Sequence, residues 1–153
     1  MMLWRACRNF LPTRANLRTQ GVMCPSICLL CDLNIETTRH ILATCPQEYQ
    51  MLENYRFGPY YVALFRPGSF AYLYFSLQKQ LNSEDQSRVS MLLWSLWRKR
   101  NKKVWDNKLL SESKVIQQGD MFYQDWMSAK DLSVTQGHEQ HNHYRVQWVP
   151  PLT

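Results

Sequence analysis

Three of the chain's five cysteines and one of its four histidines fall inside residues 28–45, CLLCDLNIETTRHILATC. They read Cys28-x2-Cys31-x8-His40-x4-Cys45, an arrangement that constrains the fold more than any hydrophobic pattern elsewhere in the chain. A packed core has no need of that chemistry, because Val or Leu fills space as well as Cys, and His brings polar atoms to satisfy. Two cysteines separated by two residues can turn both sulfurs toward one ion from a tight knuckle. The intervening loop lets the chain return with a histidine and a third cysteine on a short helical turn.

Zinc favours four tetrahedral ligands drawn from thiolate and imidazole, so Cys28, Cys31, His40 and Cys45 are the expected ligands of one Zn2+. The order Cys-Cys-His-Cys is that of a retroviral zinc knuckle with a longer central loop. Four protein ligands leave no open position for water, and three thiolates make a net negative ion site and a poor Lewis acid. A structural metal is therefore expected rather than a catalytic one. Cys24 offers a fifth thiol, but Pro25 stiffens its approach, and neither Cys24 nor Cys7 has an assigned role. His138, His141 and His143 sit in a polar tail where nothing holds them rigid, and they read as a solvated linker.

Catalysis finds little support. Cys7 or Cys24 lacks a neighbouring base and a group to orient it. Glu84-Asp85 reads as a helix start, where the dipole favours negative charge. No Gly-rich phosphate loop is present. The chain is read as no enzyme of its own.

An odd cysteine count argues against a secreted disulfide framework and for a reducing, intracellular location, nucleus or cytoplasm. No stretch of about 18 apolar residues offers a membrane span, and no membrane partner is expected. Arg5, Arg8, Arg14 and Arg18 precede the first acidic residue, Asp32, a composition shared with mitochondrial transit peptides. Membership of these arginines in the fold is the preferred reading. The formal charge of +6 favours an acidic partner, RNA or DNA first.

Periodicity places helices around this centre. Trp4, Cys7 and Leu11 share a helical face until Pro12 interrupts it, and Thr13 can cap a second short helix to Thr19 with Gly21 beyond. Thr37 or Thr38 can cap the turn carrying His40, Ile41 and Leu42, and Pro46 suits the first position of another helix. Residues 54–75 are aromatic and broken by Gly58-Pro59 and Pro67-Gly68, with a short helix or extended piece expected near 69–78. Ser83 with Gln86 reads as a capping box opening a helix that turns Val89, Leu92, Leu93, Leu96, Trp97 and Val104 to one side. A further helix from Ser111 to about Lys130 would face Val115, Gly119, Phe122 and Trp126 inward.

The run WRKRNKKVW carries Arg98, Lys99, Arg100, Lys102 and Lys103 near a helix end, with Asp106 the nearest acid in sequence. Arg98, Lys99, Lys102 and Lys103 are expected to project into solvent as a stripe able to touch phosphates. The alternative is a solvated helix face. Trp4, Leu11 and Leu17 are expected to pack on Ile41 and Leu42 behind the metal site.

The segments WRACRNFLPTRANL, CxxC and ETTRHILATC together closely resemble the zinc-binding domain that follows the reverse transcriptase of plant non-LTR, LINE-type, retrotransposons. Trp4, Leu11, Pro12, Thr13, Asn16, Leu17, Cys28, Cys31, Glu36, Thr37, His40 and Cys45 sit where that family places them. Trp94, Trp97, Arg100 and Asn101 resemble its following helix, and Trp148-Val149-Pro150-Pro151 resembles the lead into a ribonuclease H-like domain. The resemblance implies a domain begun partway through, missing an upstream Trp and Pro-Lys-Val stretch. It also implies a role beside reverse transcriptase and ribonuclease H-like modules, gripping template RNA or target DNA. A scaffold between those modules, or a decayed fragment, is the alternative.

The expected architecture is mainly α, a small zinc-stapled helical domain followed by a helical extension and a disordered tail. Its divisions are 1–55 for the zinc-binding domain, 56–82 for an irregular aromatic connector, 83–130 for the extension and 131–153 for the linker.

Overall fold

The computed structural model of the chain describes residues 2–55, 60 and 68–137. Those residues form α1 (Met2–Cys7), α2 (Arg14–Thr19), a π-helical turn (His40–Thr44), α3 (Pro46–Asn54), α4 (Phe70–Gln78), α5 (Ser83–Asp106) and α6 (Glu112–Gly137). Among them the only extended pairing is an isolated antiparallel bridge between Ile27 and Ile35, so the mainly α class holds. One compact unit covers Met1–Tyr123, and the residues of α6 from Gln124 onward belong to a second.

The core of the first unit is built on α5. Val89, Leu92, Leu93, Leu96 and Trp97 recur at three- and four-residue intervals and are buried, as the pattern requires. The π-helical turn packs on α3 and on α5, bringing Ile41 and Leu42 against the same apolar mass as Met51 and Leu52. Helix α1 lies on α4 and α5. On α6, Gly119 is a close-approach position: a Cβ there would stand 3.3 Å from the Leu92 Cα.

Several helix ends follow the sequence closely. Thr13 Oγ1 accepts from the Asn16 amide at 3.3 Å, and Gly21 takes the left-handed conformation beyond α2. Thr37, rather than Thr38, caps the metal-side turn, accepting from the His40 amide at 3.0 Å. Thr38 instead donates to Asn9 Oδ1 at 2.8 Å. The expected piece near 69–78 is a helix, with Ser69 accepting from the Tyr72 amide at 3.2 Å.

Four expectations need correction. The cap of α5 is Asn82, whose side chain accepts from the Asp85 amide at 2.9 Å. Gln86 is drawn away from a capping box to donate to the carbonyls of Gln78 and Leu81, where it ties the end of α4. Trp4 is 55% exposed, because the buried face of α1 is Met2 and Ala6; Trp4 meets Phe10 edge-on instead of reaching Ile41. Val104 and Trp126 are exposed, and Tyr123 takes the inward position on α6 near the Arg88 guanidinium. Helix α6 continues to Gly137, and the remainder of the tail, with His138, His141, His143 and residues 148–151, lies outside the described residues.

Candidate metal centre

The ligand residues reach one point because three local structures converge. Cys28 and Cys31 stand on a turn closed by the Cys28 amide donating to the Asn34 carbonyl at 2.7 Å and the Asp32 amide to the Cys28 carbonyl at 3.0 Å. Asp32 takes the left-handed conformation with φ 53°, which turns the chain back toward Ile35. His40 opens the π-helical turn, and Cys45 closes it as the residue preceding Pro46 at the start of α3. A step of five residues in a π-helical turn differs in rotation from one in an α-helix, so the turn itself sets how His40 and Cys45 face the knuckle.

One ligand atom from each of Cys28, Cys31, His40 and Cys45 lies within 4.8 Å of all the others. Cys28 Sγ and Cys45 Sγ are 4.0 Å apart, and Cys31 Sγ is 3.3 Å from His40 Nε2. A tetrahedron with Zn–S near 2.3 Å has edges of about 3.8 Å, so the four atoms surround a volume that needs only a small contraction to fit the ion. The widest separation exceeds the expected 3–4 Å or so for a formed site. Cys28, His40 and Cys45 are buried and Cys31 is half-buried, so water has little access to the ion position.

The donor chemistry also fits. The Cys45 thiol hydrogen-bonds to Cys28 and, with help from His40 and the Leu30 and Cys31 amides, holds the Cys28 thiol at a pKa of about 3 against the opposing effect of burial. Cys45 moves the other way, raised by its hydrogen bond to Cys28, by burial and by the Cys28 charge. Thiolate is the form in which cysteine binds a metal, so a Cys28 thiol lowered in this way suits a metal ligand. Cys24 stays apart, its sulfur 3.8 Å from the Arg14 carbonyl, and all five cysteines are free thiols.

Behind the ligands lies a feature that spacing did not show. Glu36 is fully buried, and its Oε1 accepts from Arg100 Nη2 at 2.6 Å, from Arg100 Nε at 3.1 Å and from the Arg14 amide at 3.0 Å. Its Oε2 accepts from the Leu29 amide, inside the knuckle, at 3.3 Å. A single carboxylate thus joins the knuckle, the start of α2 and the last third of α5. A second buried pair stands nearby: Lys99 Nζ lies 2.7 Å from Oε1 of Glu48, which is in the first turn of α3. The turn between α1 and α2 is fixed by Asn16, whose Nδ2 donates to the carbonyls of Asn9 and Leu11.

These pairs overturn the expectation of one solvent-facing basic stripe. Lys99 is only 4% exposed and turns inward to Glu48, so it is removed from the surface set. Arg98 and Lys102 are exposed, Lys103 is half-buried, and Lys103 lies about 100° round the helix from Lys102. The sequence held a signal for this: Lys99 and Arg100 follow the buried Leu92 and Leu93 by seven residues, two helical turns on. Counting acids only along the local sequence hid it, because Glu36 and Glu48 are distant in the chain.

No helix among the described residues is long and apolar enough to cross a membrane. No curated protein and no solved structure matches the chain. The four convergent ligands form a Cys3His group compatible with one zinc ion, and residues 1–51, which contain all four, match the family described as zinc-binding in reverse transcriptase.

Proposed function

We propose that the chain is a non-catalytic zinc module of a retrotransposon-derived reverse transcriptase polyprotein, and that it helps hold RNA or DNA. The closed Cys3His set supports a structural ion, since all four tetrahedral positions are taken by protein. The observation that carries the nucleic-acid reading is the excess of exposed cations in a chain of net charge +6. Arg5, Arg8, Arg18, Arg98 and Lys102 are exposed, and the first 31 residues contain no carboxylate. Such a surface attracts a polyanion by releasing its counterions.

Five free cysteines, four of the chain's Cys/His groups converging on one point, suit a reducing intracellular compartment. Reverse transcriptase and ribonuclease H-like modules are the natural neighbours on this reading. A scaffold that binds only those modules is favoured by one observation, the exposure of Trp4 and Phe10 beside each other on α1 and its exit.

The test is titration of the full, zinc-loaded chain with labelled RNA and DNA at several salt concentrations. Affinity should fall with salt, with a log–log slope of about −0.7 per phosphate contact on single strands. Arg98→Glu with Lys102→Glu should weaken every sequence alike, because phosphate contacts carry no base information. Absence of binding at low salt would remove the nucleic-acid reading and leave the scaffold.

A further inference from the structure

A groove of about 640 Å³ runs along the last turns of α5, walled by α1 and the turn leading into α2. Its apolar surface includes Leu11, Pro12 and Val104, and Trp97 forms a buried floor with the Arg100 guanidinium 5.0 Å from its ring centre. Beyond Leu17 and Val104 it continues into a second depression of about 350 Å³ bounded by Arg14, Lys103 and the knuckle's Leu29. Two properties separate this trough from an ordinary apolar hollow. Trp105, on its lip, is 81% exposed, a large ring left in water. No carboxylate lines either part, whereas Arg5, Arg14 and Lys103 do. Among the described residues none of those three cations forms an ion pair, while Arg100 is engaged by Glu36.

An exposed indole with an apolar wall beside it is a platform for a planar aromatic group. Cations spaced along the same trough, without competing acids, suit a chain of phosphates. Together they match a polymer that alternates the two, with its bases unstacked and accessible. A duplex hides the faces of its bases and could use only the cations.

We propose that this trough is the binding track for single-stranded nucleic acid, with a base stacked on Trp105 and the backbone passing Arg5, Lys103 and Arg14. This rests on the nucleic-acid reading above and deepens it by naming the strand state and the surface. It also places the track at Arg5, Lys103 and Arg14 rather than at Arg98 and Lys102, which line neither depression. Because Glu36 ties α5 to the knuckle at Leu29 and to α2 at Arg14, the metal site holds the two walls of the trough in register.

The experiment uses the full zinc-loaded chain, a fluorescein-labelled uridine or thymidine strand of about 12 nucleotides, and a duplex of the same length. Trp105→Ala should weaken the single strand by about 5- to 150-fold and leave the duplex unchanged. Its circular dichroism should match the parent, as expected for a residue so exposed. Arg5→Ala with Lys103→Ala should lower the single-strand salt slope by about 1.4. If Trp105→Ala leaves single-strand affinity unchanged while Arg98→Glu/Lys102→Glu removes it, the track is wrong and nucleic-acid binding stands. If the parent binds neither probe, both readings fall. If Trp105→Ala instead converts a dimer to a monomer by light scattering with no change in single-strand affinity, the trough is an interface between copies and the proposal is overturned.

Discussion

The two buried carboxylates that receive the basic run differ in how completely they are satisfied. Glu36 accepts a two-nitrogen contact from Arg100 and two backbone amides, so both of its oxygens are used. Glu48 meets the Lys99 ammonium at 2.7 Å through Oε1, but no amide or second side chain supports either oxygen. The geometry of the partners explains the contrast. A guanidinium presents parallel donors to a carboxylate, whereas an ammonium is a point charge. Glu36 therefore serves as a junction for three segments, and Glu48 as a single strut between α3 and α5. A buried pair with unmet oxygens bears most of the desolvation cost with less return.

The largest expected effect comes from removing what both carboxylates depend upon. Glu36 lies in the loop between Cys31 and His40, and Glu48 follows Cys45 by three residues. Structural zinc in finger peptides contributes on the order of 10–16 kcal/mol of apparent binding energy. One zinc per chain is expected, lost on Cys31→Ser or Cys45→Ser, with chelation unfolding residues 24–50 and loosening both sockets together. Metal analysis with hydrogen exchange would show it. A chain that binds no zinc and melts unchanged under chelator would break the metal assignment.

Smaller effects should divide the two sockets. Arg100→Met and Lys99→Met each strand a buried carboxylate and should cost about 3–5 kcal/mol. The double changes are the sharper comparison. Glu48→Leu with Lys99→Met removes both charges from an incompletely bonded pair and should return stability to near the parent value. Glu36→Leu with Arg100→Met should not, because the Arg14 and Leu29 amides lose their acceptor, about 1–3 kcal/mol each when buried. Denaturant midpoints of zinc-loaded variants measure this. Equal recovery in both double variants would erase the distinction.

The smallest effect is a pH dependence. Burial raises the Glu48 carboxyl above its ordinary value, and Lys99 only partly opposes this. A raised carboxyl binds protons more readily in the folded than in the unfolded chain, so its contribution to stability decreases as pH rises from about 4.5 through the folded value. Measured against the Glu48→Gln/Lys99→Met variant, which keeps the same metal ligands, the parent should lose relative stability on going from pH 4.5 toward neutrality. A relative gain over that interval would mean that Lys99 dominates and that the socket is better satisfied than its geometry suggests.

Local chemistry makes much of this molecule legible in its sequence. Ligand identity follows from residue type and spacing, because a metal selects thiolate and imidazole whatever the surrounding fold. Thr13, Pro46 and Gly21 mark helix ends through interactions contained within a few residues. The apolar series on α5 follows from a 3.6-residue period alone. Trp4 misleads because a six-residue helix has too few turns to distinguish its buried stripe from the neighbouring one. The Ser83 cap is one residue off because Asn82 accepts the amide bond and Gln86 is engaged by the carbonyls of Gln78 and Leu81.

By itself the sequence determined the convergent Cys3His set, the helical class and the positive balance of the chain, all of which depend on composition or on neighbours a few residues away. Tertiary structure alone decided which cations remain at the surface. Lys99 and Arg100 are turned inward by the same period that buries Leu92 and Leu93, and burial is tolerable only because Glu48 and Glu36 meet them there. Glu36 and Arg100 stand 64 residues apart, and no local rule links such a pair. A charge is placed by the partner that compensates its lost hydration, and that partner is set by the folded path of the chain.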